Sequence, residues 1–256
     1  MRLRPKGEIA GAKRTAYVDK GMLFSRSKAL LGSEAMKRLA EARVLVVGVG
    51  GVGSWCAEAL VRTGLGHVTL IDDDVVAESN VNRQCPATAA TVGRPKVEAM
   101  AERLKEINPV CEIEAVNMRY PSSSVLCLKS FSLIVDAIDS VDCKAELILG
   151  ATEAGVPIVS SMGAALRLDP TKVKVTRFEK VEGDGLARTL RQRFKKLGRF
   201  PEGKFSCVWS GETPVTAPVA ETATVRLKGS LMPVTATFGM CLASEAIKLL
   251  TKGETR

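Results

Sequence analysis

Gly48-Val49-Gly50-Gly51-Val52-Gly53 has the spacing G-x-G-x-x-G, and an acid, Asp72, stands about twenty residues further on. Glycines at those positions let backbone N–H groups approach an anionic phosphate where a helix begins, and the acid accepts from ribose hydroxyls. The pairing indicates a nucleotide without choosing among NAD, FAD and ATP. The residues that follow narrow the choice: Asp74, Asn80, Asn82, Arg83 and Gln84, then Lys96. Arg83 offers a planar fork of donors and Lys96 a compact charge, a pair suited to a pyrophosphate that leaves with accumulating negative charge. A dinucleotide enzyme needs only the acid and an open face. Asp139 lies three residues beyond Asp136, where a carboxylate can hold a Mg²⁺ that bridges phosphates. Asp136 is an equal candidate, and either could instead cap a helix beginning near Val141.

The elements needed to position these groups are written in the hydrophobic pattern. Val44-Leu45-Val46-Val47 is a short β-branched run of the kind a parallel sheet buries on both faces. Ser54 to Thr63 reads as a helix stopped by Gly64, and Val68-Thr69-Leu70-Ile71 as the next strand, which completes a βαβ unit. The alternation continues with a helix from Pro95 to Ile107 and strands at Cys111–Val116 and Leu133–Ala137. A helix from Val141 to Ala154 and a strand at Pro157–Ser160 follow. The expected fold is α/β, a Rossmann-like, doubly wound, mostly parallel sheet. In such sheets ligands bind at the carboxyl ends of the strands, where each polar cluster above falls. Upstream, Ser33 is positioned to cap a short helix. Downstream we expect strands at Val173–Phe178 and Phe205–Trp209, a basic helix at Leu186–Leu197 and a last helix at Thr235–Leu250. Gly211 to Ser230 reads as a flexible loop.

Composition sets the remaining limits. The chain has 256 residues, 46% of them hydrophobic, and a net charge of +9. A full core is available, disorder throughout is excluded, and an anionic partner is favoured. No run approaches the roughly 18 apolar residues of a membrane span, and the start lacks the apolar core of a signal peptide, so a cytoplasmic location is expected. The seven cysteines are odd in number and mostly set in apolar runs, which reads as buried thiols rather than a disulfide framework. With no Cys-x-x-Cys and with His67 the one histidine, a structural zinc site and a Ser/His or Cys/His nucleophile are both disfavoured.

Together, G-x-G-G-x-G, D-x-D, N-x-N-R-Q, a downstream lysine and Asp136-Ala137-Ile138-Asp139 resemble the ThiF/MoeB/HesA superfamily of ATP-dependent adenylyltransferases. The resemblance implies that Gly51 and Gly53 line the phosphate turn and that Asp72 holds the ribose, with Gly48, Gly50 and Asp74 also among the nucleotide-binding residues. Asn80, Asn82, Arg83, Gln84 and Lys96 would surround the phosphates, and Asp139 would be the magnesium residue. Phe24-Ser25-Arg26 is similar to an amino-terminal segment whose arginine enters the neighbouring subunit's site, which implies a homodimer with Arg26 acting across it. Leu23 replaces the first arginine of that segment. Glu58-Ala59-Leu60-Val61-Arg62-Thr63-Gly64-Leu65-Gly66 and Val234-Thr235-Ala236-Thr237-Phe238-Gly239 are similar to the tRNA threonylcarbamoyladenosine dehydratase branch. That branch cyclises a threonylcarbamoyl group beside the anticodon through an acyl-adenylate. It implies ATP and Mg²⁺ as cofactors, and tRNA and sulfur-relay proteins of the cysteine desulfurase type as partners, with neither DNA nor membrane. The cysteine that some of these enzymes carry before the last helix is absent from Arg226-Leu227-Lys228-Gly229-Ser230-Leu231-Met232. A carrier-protein adenylyltransferase and an NAD-dependent oxidoreductase are the competing assignments.

The second half supplies a candidate tRNA face. Arg188, Arg191, Arg193, Lys195, Lys196 and Arg199 form the densest basic run, able to hold an RNA backbone without reading sequence. A solvated amphipathic helix is the other reading. The expected organisation is a basic arm (1–22), an adenylation domain (23–170), a basic loop-rich region (171–232) and a C-terminal helix (233–256).

Overall fold

The computed structural model describes residues 20–120, 126–215 and 229–252. The chain enters through three short helices, α1 (Lys20–Leu23), α2 (Ser25–Leu31) and α3 (Ser33–Glu41). Strands and helices then alternate: β1 (Arg43–Val47), α4 (Gly53–Thr63), β2 (His67–Ile71), α5 (Lys96–Ile107), β3 (Glu112–Val116), β4 (Leu133–Asp136), α6 (Val141–Glu153) and β5 (Ile158–Ser161). They are followed by β6 (Val173–Arg177), α7 (Gly185–Leu197), β7 (Ser206–Ser210) and α8 (Met232–Thr251).

The seven strands form one sheet in the order β3-β2-β1-β4-β5-β7-β6, parallel except where β6 meets β7. From β1 the chain works outward through β2 to β3 and then returns to β4 on the other side of β1. Val47 is therefore in register with Ile71 on one flank and Asp136 on the other. This reversal of strand order opens a crevice at the carboxyl ends of β1 and β4. β1 can occupy an interior position because both of its faces are apolar. Val44 and Val46 pack with Cys56, Leu60, Phe238 and Leu242, while Leu45 and Val47 pack on the opposite face with Ile148, Phe194 and Trp209. The period of two assigns alternate residues to the two layers. Each fully buried valine or leucine contributes about 1.5–3 kcal/mol.

Several expectations are adjusted. Of the arm assigned to residues 1–22, residues 1–19 lie outside the described region, and Lys20–Leu23 is helical. Ser33 is the first residue of α3 rather than its cap; Gly32 precedes the helix and no side chain caps it. Within the basic region assigned to residues 171–232, the expected strands β6 and β7 extend the same sheet. The stretch 216–228, including most of the loop expected to be flexible and the position where a cysteine is missing, lies outside the described residues. α8 begins three residues earlier than expected, since Pro233 in its first turn lacks only an N–H that would have no helical partner there. By length and composition α8 could cross a membrane. Its buried Val234, Phe238, Leu242, Ala243 and Ala246 instead belong to the core layer containing α4.

At the end of β4 the Asp136 carboxylate is fully buried. It accepts from Lys144 Nζ on α6 at 2.6 Å and from Ser160 Oγ on β5 at 2.6 Å. Removing one member of such a pair strands a charge in the core, whereas removing both does not. Lys144→Met should lower unfolding free energy in urea by about 3–5 kcal/mol, and the double variant Asp136→Asn/Lys144→Met should recover much of that loss. Equal midpoints for wild type and Lys144→Met would contradict this account.

Candidate nucleotide site

The glycine turn connects β1 to α4 at the crevice. Gly48 has φ +91°, and a Cβ there would lie 2.6 Å from the Ala137 carbonyl oxygen at the end of β4. A Cβ on Gly53 would overlap the Gly48 carbonyl oxygen. Only glycine fits both positions. Gly48 N–H continues the sheet pairing to the Ile71 carbonyl at 2.8 Å, and Val49 N–H donates to Asp72 Oδ2 at 2.6 Å. Asp72 Oδ1 accepts from Asp74 N–H at 2.9 Å, so one side chain braces both the turn and the exit of β2. Burial pushes the Asp72 carboxyl above its ordinary range, opposed by the charge of Lys96 and by these two N–H bonds. Among the described residues, the N–H groups of Gly50, Gly51, Val52 and Gly53 have no acceptor. They cluster at the positive end of α4, an arrangement suited to phosphate oxygens.

The segment from Ser79 to Cys85 is fastened beside the turn. Asn80 is buried, and its Oδ1 accepts from Ala77 N–H at 3.0 Å, which shapes the tight turn that carries Arg83 and Gln84. Trp55 Nε1 on α4 donates to the Arg83 carbonyl at 2.9 Å. Cys85 N–H donates to Ser54 Oγ at 3.1 Å, and Ser54 Oγ donates to the Gly50 carbonyl at 2.6 Å. Behind these, Glu58 accepts from Arg62, from Arg103 and from the Cys85 thiol. Burial alone would raise its pKa; the bonds from Arg103, Cys85 and Arg62 outweigh it and hold the carboxyl at about 2. The Cys85 thiol is pushed up to about 12 by burial and by Glu58, so it serves as a donor and not as a thiolate.

Arg83 Nη1 donates to the Ser79 carbonyl at 2.8 Å and to Asn82 Oδ1 at 2.9 Å, while Asn82 Nδ2 donates to the Ser230 carbonyl ahead of α8 at 3.1 Å. Gln84 is buried with its Oε1 unpartnered and its Nε2 toward Gly50. A buried polar atom without a partner beside free backbone donors fits a polar ligand at this turn. Lys96 is buried at the first turn of α5, and its Nζ lies 2.6 Å from Asp74 Oδ2. Asp74 therefore orients the lysine.

The two aspartates after β4 are distinct in kind. Asp136 has both oxygens engaged, Oδ2 as above and Oδ1 with Ile138 N–H at 3.2 Å, which leaves it no capacity for a metal. Asp139 is exposed on the crevice loop, and no side chain caps α6. The Asp139 carboxylate is therefore available to a cation; Asp72, Asp73 and Asp74 bring oxygens within 4.8 Å of one another, with Asp72 engaged by the Val49 and Asp74 N–H groups and Asp74 by Lys96. Arg119, just after β3, was not singled out in the sequence. It is exposed, and Cys143, Asp73 and Asp139 raise its pKa. The available signal was position, since it too follows a strand at the carboxyl edge.

Two groups of expected residues are not gathered here. Phe24 packs against Gly64, at the end of α4 opposite the glycine turn and about 16 Å from it by helix rise. Arg26, two residues on, is exposed at that end. The basic run on α7 divides. Arg191 donates to the carbonyls of Phe178 and Val181, Arg193 pairs with Asp142, and Arg199 pairs with Glu146 and Glu153 on α6. Arg188, Lys195 and Lys196 are exposed without an ion pair among the described residues.

The model of the ThiF family matches residues 24–256, which include every element of the crevice. The chain belongs to the ThiF family. Among relatives, tRNA threonylcarbamoyladenosine dehydratase of Escherichia coli K12 is 39% identical over 247 residues, covering 88% of this chain and 92% of that enzyme. The Bacillus subtilis dehydratase is 38% identical over 194 residues, 75% of this chain and 76% of that one. The crystal structure of the E. coli dehydratase in complex with ATP superposes with a TM-score of 0.79 at 39% identity, over 90% of this chain and 94% of that one. The α/β sheet and the last helix are thus those of a ThiF-family protein.

Because the folded pKa of Glu58 is depressed, its contribution to stability is complete above its ordinary value of 4.5 and is lost as pH falls toward about 2. Glu58→Gln should flatten the loss of stability across that interval, as read by urea midpoints at successive pH values. A variant with the wild-type acid profile would refute this.

Proposed function

We propose that this chain is an ATP-dependent tRNA threonylcarbamoyladenosine dehydratase. The observation that carries the reading is the convergence of the unpartnered turn N–H groups, Gln84, Arg83 and Lys96 on one crevice, in a chain aligned over nearly all of the E. coli enzyme. The glycine turn binds phosphate oxygens, and Asp72 takes the ribose hydroxyls. A carboxylate oxygen of the threonylcarbamoyl group attacks the α-phosphorus of ATP, and the bond to pyrophosphate breaks. Arg83 and Lys96 neutralise the departing charge, for which Arg83 must leave the Ser79 carbonyl and Lys96 must share Asp74. The neighbouring carbamoyl group then attacks the acyl carbon, the ring closes and AMP departs. Tethering makes that closure fast without an enzymatic nucleophile; five of the seven thiols are buried as expected, while Cys127 is exposed and Cys241 half-buried.

Asp139, with Asp72–Asp74 nearby, would hold Mg²⁺, whose charge stabilises the phosphate oxygens. Arg188, Lys195 and Lys196 present the RNA-contacting charge of α7; Arg191, Arg193 and Arg199 chiefly hold that helix in place. The protein acts as a homodimer in which Arg26 enters the partner's crevice, since its own crevice is a helix length away. Sulfur-relay proteins are further partners, and the cytoplasm is the site of action.

Pyrophosphate release with ATP should require threonylcarbamoylated tRNA, and Arg83→Ala should slow it by about 100-fold or more, the scale of a lost transition-state donor. Release driven instead by a carrier protein with a Gly-Gly terminus, or by neither substrate, would overturn the assignment. Arg26→Ala and Arg83→Ala should each be inactive alone, yet an equal mixture after subunit exchange should regain roughly a quarter of wild-type activity, because half the dimers hold one intact composite site. No recovery would place Arg26 outside the partner's site.

A further inference from the structure

Two adjoining cavities open at the opposite end of the sheet, where β5 and β7 begin and β6 ends. The first, of about 380 Å³, is lined by Phe178, Phe194, Phe200 and Phe205 with Arg191, Lys195 and Glu179 at its margin. That volume falls in the range of about 300–1,000 Å³ that accommodates small ligands. Four of the chain's seven phenylalanines meet here. Phe178 and Phe205 stack at 5.1 Å, and Phe194 meets Phe178 edge-on at 6.1 Å, forming a rigid floor. Phe200 differs from these three: it stands on the rim after α7 with 61% of its surface exposed. The second cavity, about 470 Å³, shares Phe205 with the first and runs along Arg177, Lys204, Lys248 and Lys252. Its one acid, Glu245, is already engaged by Ser206 and Lys248. Lys195 and Lys196 at the end of α7 extend the positive charge on the other side.

An exposed aromatic face beside a cationic groove is the combination that holds an unstacked nucleotide, with the base on the ring and the phosphates in the groove. We propose that this paired cavity is a second RNA-contact site, in which Phe200 stacks on an unpaired base of the tRNA substrate and Lys204, Lys248 and Lys252 hold the flanking phosphates. The proposal rests on the tRNA reading above. A protein partner would be served by the apolar pocket but not by the excess positive charge of the groove, and a mononucleotide would not need both cavities. The site lies away from the reacting crevice, so it sets affinity and placement of the RNA and not the chemistry.

The test uses full-length protein and threonylcarbamoylated tRNA, with binding followed by anisotropy across a salt series. Phe200→Ala and Phe200→Leu should weaken binding by about 5- to 100-fold, the range that base–aromatic stacking supplies, whereas Phe200→Trp should bind as wild type. The added indole of Phe200→Trp should be quenched by tRNA beyond any change seen in wild type. Lys204→Ala/Lys248→Ala/Lys252→Ala should reduce the salt slope by about two, as expected for three lost phosphate contacts on a single strand. Wild-type affinity in both Phe200→Ala and Phe200→Leu would overturn the proposal, as would an unquenched indole or loss of self-association in place of loss of tRNA. Wild-type pyrophosphate release, measured in parallel, separates the outcomes. If wild type responds to modified tRNA while the Phe200 variants match it, this inference alone fails; if wild type does not respond, the assigned function fails.

Discussion

The site depends on how closely the chain must pass itself on leaving β1. β1 is flanked by parallel neighbours on both sides, so at its carboxyl end the Ala137 carbonyl from β4 and the chain's own Gly48 carbonyl occupy the space where two side chains would begin. Two glycines resolve the conflict, and the consequence reaches well beyond the turn. α4 starts immediately, with its unpaired N–H groups facing the crevice between β1 and β4. The loops that follow β2 and β4 arrive on the same edge because those strands run parallel to β1. Lys96 therefore comes to Asp72 and Asp74 despite their separation in the chain, and Asp139 follows β4 at the same edge.

The remaining polar residues divide into those that present groups to the crevice and those that hold the presenters still. Asn80, Ser54, Cys85 and Glu58 are of the second kind. Their hydrogen bonds fasten the Arg83–Gln84 segment to α4, the helix whose amino terminus forms the cradle. Glu58 can remain charged in the interior because three donors, two of them guanidinium groups, surround it. Any rotation of α4 would then carry the arginine with it. Asp136 and Lys144 have a similar role beneath the exposed Asp139, joining β4, α6 and β5 below the loop that offers a carboxylate to the crevice.

The opposite face of the molecule follows a different logic. α7 is basic along most of its length, yet half of the run secures the helix to α6 and to the carbonyls after β6. The charge left for a partner is concentrated at its exposed positions and around the groove toward the end of α8. A net charge of +9 is thus distributed into structural pairs and an outward-facing remainder, and the remainder is what matters for a polyanion.

Strand and helix order was legible in the sequence because the apolar period of each segment is decided locally. The run Val44–Val47 has to be a strand buried on both faces whatever surrounds it, and Gly48, Gly50 and Gly53 announce the turn by type and spacing. Asp72, Arg83 and Lys96 were expected from residue type and from the likeness of their segments, and the fold sets Arg83 beside Gly51 and Lys96 beside Asp74. Other assignments needed the fold. Asp136 and Asp139 are the same residue type three positions apart, and burial against Lys144 and Ser160 is what separates a core ion from an available ligand. Arg191 and Arg188 look alike in a basic run until the carbonyls of Phe178 and Val181 claim one of them. Arg119 comes under the charges of Asp73 and Asp139, and Arg26 stands a helix length from the glycine turn, through folding that joins segments far apart in the chain. Local pattern thus determined which elements form and which residues carry charge. The tertiary structure decided which charges are already satisfied, because a partner's distance and desolvation are properties of packing and not of spacing.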